Sequence, residues 1–290
     1  MFCKNCGKKL GNAKKFCTNC GTAFSDPSPQ SQPFTKKGIK IDKGKIIGTL
    51  VIVTIIGLGI YGSRSDTAIK ANNDALSNFN SGNGQQAINQ FQDAVNNSTN
   101  NATKITTLKN LAYAQATEGQ NDQALATFQE ALPLTSHGSL DYYLISGEIA
   151  VLKAKPSSAY FNFNQAHQID PNDFQVNNSL AIFYLNLDSS APDYQDYPKA
   201  LVYAQKAYNI SNQEIALENL GIAYYINDDY DQAASTLSQV NLSQHPHIGL
   251  WLGLAYAGKN DVANAKYYLQ GAINAGIKVP QQVYDYLSSH

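Results

Sequence analysis

A pattern that returns six times constrains this chain more than any other feature. Alanine, a large apolar residue four positions later and a second alanine three further on occur as Ala87/Phe91/Ala94, Ala124/Phe128/Ala131 and Ala159/Phe163/Ala166. Ala200/Ala204/Ala207, Ala233/Leu237 and Ala265/Leu269/Ala272 continue it with a smaller or leucine centre. The leading alanines are separated by 37, 35, 41, 33 and 32 residues. Offsets of four and three put the stripe on one face of a helix. Periods of about 20–50 residues mark arrays in which each unit buries its apolar face against its neighbours.

A second motif precedes the stripe. Leu111-Ala112, Leu220-Gly221 and Leu252-Gly253 stand upstream of their alanine stripes, and Gln115, Tyr224 and Tyr256 follow at fixed offset. Small residues at Ala112, Gly147, Ala181, Gly221 and Gly253 let a first helix approach a second closely. Gly119 and the run Asn227-Asp228-Asp229 supply turns between the two, and Asp170-Pro171 closes the third copy. Together these residues resemble the tetratricopeptide repeat (TPR) family. The resemblance implies a mainly α fold over residues 66–288, an α-solenoid of about six TPR-like helix pairs, with Val279–Ser288 beginning a capping helix. The first copy departs from the family at Asp74 and Asn78. The fourth carries about seven extra residues near Asp188–Asp196. The resemblance also implies that first helices line a concave face that binds a protein or peptide. Tyr143, Tyr184, Tyr224 and Tyr256 fall at core positions, whereas Tyr142, Tyr225 and Tyr268 are candidates for a groove or surface, with plain repeat core as the favoured alternative.

The chain upstream of the repeats has another character. Its four cysteines all lie in the first 20 residues, as Cys3-Lys-Asn-Cys6-Gly7 and Cys17-Thr-Asn-Cys20-Gly21. Two cysteines three apart can turn both sulfurs toward one ion, and the glycine permits the tight turn that follows. Four thiolates complete a closed tetrahedral shell, so Cys3, Cys6, Cys17 and Cys20 are predicted to hold one structural Zn²⁺. So short a segment cannot bury enough surface to fold alone, and metal would supply the folding energy. Residues 1–24 resemble the short zinc ribbons found at the N-termini of many bacterial proteins. A redox dithiol is the competing reading of a lone Cys-x-x-Cys, but two copies without a βαβ pattern favour zinc.

Residues 25–45 read as a flexible basic linker, rich first in proline, serine and glutamine and then in lysine. From Ile46 to Ser63 there is no charge. Eighteen residues at ~1.5 Å each span about 27 Å, enough for a hydrocarbon core. A strand of that length would be exceptional. The run begins too late for an ordinary signal peptide, so 46–63 is predicted to be a single, uncleaved transmembrane helix. Lys36, Lys37, Lys40, Lys43 and Lys45 precede it, whereas only Arg64 and Lys70 follow closely. The positive-inside rule puts the N-terminus in the cytoplasm and the repeats outside the plasma membrane. Thiols confined to the N-terminal side agree with that orientation. The overall net charge of -1 hides ten basic and two acidic residues in 1–45. Those lysines lack a recognition helix or stacking platform, which disfavours nucleic acid as a partner.

No phosphate loop, nucleophile elbow or metal-ligand helix pattern is found. His245-Pro246-His247 lies at an inter-repeat turn and reads as a plain loop. The expectation is therefore a non-enzymatic, membrane-anchored scaffold of the bacterial cell envelope, whose exported repeats bind a protein or cell-wall partner. A transmembrane sensor signalling through the ribbon is the alternative, and an envelope hydrolase a weaker one.

Overall fold

The computed structural model describes residues 67–185 and 192–290. The predicted zinc ribbon, linker and membrane span lie outside them. Among the described residues no helix is long and apolar enough to cross a membrane. They form thirteen α-helices and two single-turn 3-10 helices, with no strand.

The helices pair as the repeat requires. α1 (Thr67–Asn80) packs on α2 (Gly84–Asn96), α3 (Asn101–Thr117) on α4 (Asn121–Ala131), and α5 (Leu140–Leu152) on α6 (Pro156–Ile169). α7 (Phe174–Leu185) packs on α8 (Tyr197–Ile210), α9 (Glu214–Ile226) on α10 (Tyr230–Leu237), and α11 (Ile248–Gly258) on α12 (Val262–Asn274). α13 (Gln281–Ser289) follows as the cap, with Val283 and Tyr286 turned inward. It starts later than Val279 because Pro280 occupies its N-cap.

The alanine stripe is the inner face of each second helix. Ala87, Ala124, Ala159, Ala200, Ala233 and Ala265 are all fully buried. The glycines of the first helices are where the stripe's large residue lands. A Cβ on Gly147 would sit 2.4 Å from the Phe163 ring, one on Gly221 2.5 Å from Leu237, and one on Gly253 2.7 Å from Leu269. Beside a small third cluster of Phe174, Ala207 and Ala216, two large apolar cores result, one from α1 to α5 and one from α5 to α13. α5 joins them, giving Ile145 to the first and Leu144 to the second.

Capping sets the boundaries. Asn100, Ser139, Asp173, Asp196, Asp229 and Asp261 accept hydrogen bonds from the backbone N–H three residues on. This satisfies donors that a helix N-terminus leaves unpaired. The turn between first and second helix recurs in five pairs. Its central residue is left-handed at Gly82, Gly119, Ala154, Asp228 and Asn260. The next residue's N–H reaches back to the carbonyl five earlier, as from Gln120 to Gln115 and from Lys155 to Ala150. This is the Schellman arrangement, which favours glycine because a Cβ strains the left-handed region. Ala154, at φ 50°, carries that strain without a polar side chain to offset it. The Cβ costs roughly 1–2 kcal/mol, and glycine's extra unfolded-state freedom takes back part of that. Ala154→Gly is therefore expected to stabilise the domain by about 0.5–1 kcal/mol. A urea midpoint that falls instead would show that the turn does not need the left-handed residue.

Candidate binding surfaces and the buried polar column

The first helices form the inner layer, and polar residues join each to the next. Asn110 Nδ2 donates to Asn72 Oδ1 at 2.9 Å, linking α3 to α1. Tyr113 OH donates to Glu148 Oε1 at 3.3 Å, and Ser179 Oγ donates to the same oxygen at 2.6 Å, linking α3, α5 and α7. Asn219 Nδ2 donates to Asn178 Oδ1 at 2.9 Å, linking α9 to α7. Lys109 Nζ reaches both Asp141 Oδ1 at 2.6 Å and Gln175 Oε1 at 3.0 Å, so α3 touches α7 across the intervening pair.

These contacts require tight curvature, and the array comes back on itself. A Cβ at Gly82, in the first pair's turn, would lie 2.9 Å from the Gln244 carbonyl oxygen, in the loop before α11. The Asn80 carbonyl faces the His245 ring at the same place.

For Tyr225 the structure favours repeat core over a groove. α3, α7, α9 and α11 are buried on nearly every side. Tyr225 is only 5% exposed and packs against Trp251 and Tyr230. Periodicity on α9 could not foretell this, because the helix is buried on both of its long faces. Tyr142 is half-buried against His137 and Tyr143. Tyr184 and Tyr203 stack in parallel, and Tyr224 OH donates to Gln205, consistent with packing roles for Tyr184 and Tyr224.

Tyr268 does reach a cleft. An open cleft of about 680 Å³ lies between the α10–α11 loop and α12, lined among others by Leu242, Pro246, Lys266, Tyr267, Tyr268 and Asn274. Tyr267 is 73% exposed and meets Tyr268 edge-on at 5.0 Å, while Tyr268 stacks on Tyr256 at 5.4 Å. The result is a rigid aromatic step with polar tips, a surface suited to peptide contacts.

Two buried carboxylates stand out. Glu148 is deep in the inner layer, and burial raises its carboxyl to about 7 against the pull of the Ser179 and Tyr113 hydroxyls. Glu218, on α9, is fully buried. Its Oε1 lies 2.6 Å from His245 Nδ1 and its Oε2 lies 3.3 Å from His247 Nε2. Burial alone would raise the Glu218 carboxyl, but the two imidazoles outweigh it and hold it below its ordinary value. Burial likewise opposes charge on His245, and Glu218 and Glu214 together raise it. Thus His245-Pro246-His247 is more than a plain loop: it folds over Glu218. One cue was available in the sequence. Glu148 and Glu218 are charged residues in the middle of largely apolar helices, near the small residues of the repeat.

Cys3, Cys6, Cys17 and Cys20 lie outside the described residues. No family model matches the sequence, and no curated protein matches it. Solved structures do. The Cut9–Hcn1 hetero-tetramer of the APC/C aligns with a TM-score of 0.53 at 18% identity, over 78% of this chain and 43% of that one. A TPR protein of Thermus thermophilus aligns at 0.46 and 16%, over 71% of this chain and 100% of that one. Pseudomonas aeruginosa PilF aligns at 0.48 and 15%, over 65% and 89%. The chain thus spans less than half the length of the Cut9–Hcn1 chain it matches. At such identities the likeness concerns the fold: the described residues form a TPR-like helical repeat domain.

Proposed function

We propose that this protein is a membrane-anchored interaction scaffold. The observation that carries the reading is the array of six stacked helix pairs, with the tyrosine-stepped cleft beside α12 as the surface that takes a peptide or protein segment. The matching fold in Cut9–Hcn1 belongs to a hetero-tetramer, which is consistent with a partner for this array. The uncharged run 46–63 would hold the domain at the plasma membrane, and the lysines before it would keep the N-terminus in the cytoplasm. Cys3, Cys6, Cys17 and Cys20 would close a structural zinc ribbon there, with four thiolates and no open coordination position.

A photo-cross-linker at Lys266 in the full chain, expressed in its own membranes, tests the cleft. Tyr267→Ala is expected to abolish the captured adduct while changing stability by less than about 0.5 kcal/mol, since the ring is mostly exposed. The same adduct at unchanged yield would overturn the cleft as the binding surface. Protease added to intact cells should digest the repeats, and digestion only after lysis would reverse the topology.

A further inference from the structure

We propose that Glu218, His245 and His247 form a binding site for a divalent transition-metal ion of the zinc class, distinct from the cysteine site. The ion would pin the α10–α11 loop to α9 and so hold the first pair against the fifth and sixth. The site does not depend on the scaffold or membrane reading.

The donor set is the first argument. Two imidazoles and a carboxylate match zinc and its neighbours in the transition series. One donor atom from each residue can be chosen so that all three lie within 4.8 Å of one another. Tetrahedral zinc with bonds of about 2.1 Å separates its ligand atoms by about 3.4 Å. The contacts already present, 2.6 and 3.3 Å, are both shorter than that value, so the side chains would move slightly apart to admit an ion.

The second argument is a polar atom left over. Glu218 Oε1 is buried and makes no hydrogen bond. The 2.6 Å approach of His245 Nδ1 to Glu218 is therefore close but not aligned as a hydrogen bond. A buried orphan calls for a cause, and an ion bound between Glu218 Oε1 and His245 Nδ1 is one.

The surroundings supply the outer support that metal-bound histidines use. Glu214 Oε2 is 3.6 Å from His245 Nε2, placed to orient the ring while Nδ1 faces the ion. Pro246 fixes the backbone between the two histidines, and its other side lines the tyrosine cleft. The loop that would carry the ion is also the loop that meets Gly82 and Asn80 of the first pair. Metal binding would thus order a contact between segments far apart in the chain.

The test uses the full chain in detergent with Cys3, Cys6, Cys17 and Cys20 all changed to serine, which removes the thiolate site. After chelation and dialysis, ZnCl₂ is titrated by competition with a chromophoric chelator. About one equivalent should bind, with visible cobalt bands free of thiolate charge transfer when Co²⁺ replaces it. His247→Ala, at a partly exposed position, should weaken binding at least about 100-fold, and Glu218→Gln should do the same. Glu218 is fully buried and its replacement can perturb folding, so His247→Ala with an unchanged circular dichroism spectrum is the deciding variant. Zinc should also slow hydrogen exchange at residues 80–84 and 241–249 together. Absence of zinc binding in the cysteine-free chain, or equal affinity in His247→Ala, would overturn the site and leave an ordinary ion pair. The unmodified chain reports separately on the ribbon, because it should bind about one equivalent more.

Discussion

Phe163→Ala should cost about 3–5 kcal/mol, the range for removing a buried phenylalanine from a core that cannot collapse around the gap. Phe163 is among the largest wholly buried side chains, and its ring fills the notch left by Gly147 on α5. It also meets Phe183 of the next pair at 6.0 Å, so the loss spreads across a repeat junction. The complementary change is Gly147→Ala. Its methyl would stand 2.4 Å from the ring, too close to be absorbed by a flexible chain end. Overpacking of this kind costs about 1–3 kcal/mol, reduced by the better helix propensity of alanine. The two effects are coupled. With Phe163→Leu in place the methyl has room, so Gly147→Ala/Phe163→Leu should be less destabilised than the sum of its parts by about 1 kcal/mol. Urea unfolding read by circular dichroism and by Trp251, the single tryptophan, supplies the measurement. Strict additivity would show that Gly147 and Phe163 are not a matched pair. Coincidence of the two probes would show that the array unfolds as a unit, as a first pair packed against the fifth pair's loop implies.

The same matched positions explain why the fold was so legible in the sequence. Alanine stripes, small residues on first helices and turn signals each recur six times or nearly so, and each has a local cause. Helical spacing fixes the face, a missing Cβ fixes the approach, and a left-handed residue fixes the turn. Asp228 was readable as a turn because Asn227 and Asp229 flank it, whereas Ala154 carried no such signal. The site was less legible because its parts come from different periods. Glu218 sits on α9, His245 and His247 lie 27 and 29 residues later, and Asn80 belongs to the first pair. Stacking of adjacent repeats brings Glu218 to the two histidines, and the curvature of the array, a sum of small rotations that no single repeat encodes, adds Asn80. The burial of the first helices has the same origin. Tyr225 reads as a surface residue within its own repeat and becomes interior when Trp251 of the next repeat closes over it.

Glu148→Gln should make the protein more stable at pH 8 and leave it nearly unchanged at pH 4. The carboxyl of Glu148 is held up at about 7 in the folded protein, against an ordinary value of 4.5, because burial disfavours its charged form. The Ser179 and Tyr113 hydroxyls that donate to it offset only part of that cost. Below pH 4.5 the group is protonated whether the chain is folded or not, and it contributes no pH dependence. Between 4.5 and about 7 the folded state retains a proton that the unfolded state has lost, so stability falls as pH rises. Above that window both states are ionised and the full penalty remains. A difference of this size corresponds to about 3 kcal/mol. Glutamine is neutral throughout, keeps an oxygen to accept from both hydroxyls, and resembles the protonated acid in shape. The difference in unfolding free energy between Glu148→Gln and the parent should thus grow from near zero at pH 4 to a plateau by about pH 8. Taking the difference cancels the titration of every other group that the substitution leaves undisturbed. Parallel stability curves over that range would mean that Glu148 is as well solvated in the fold as outside it. The polar column joining α3, α5 and α7 would then be reached by water rather than sealed from it.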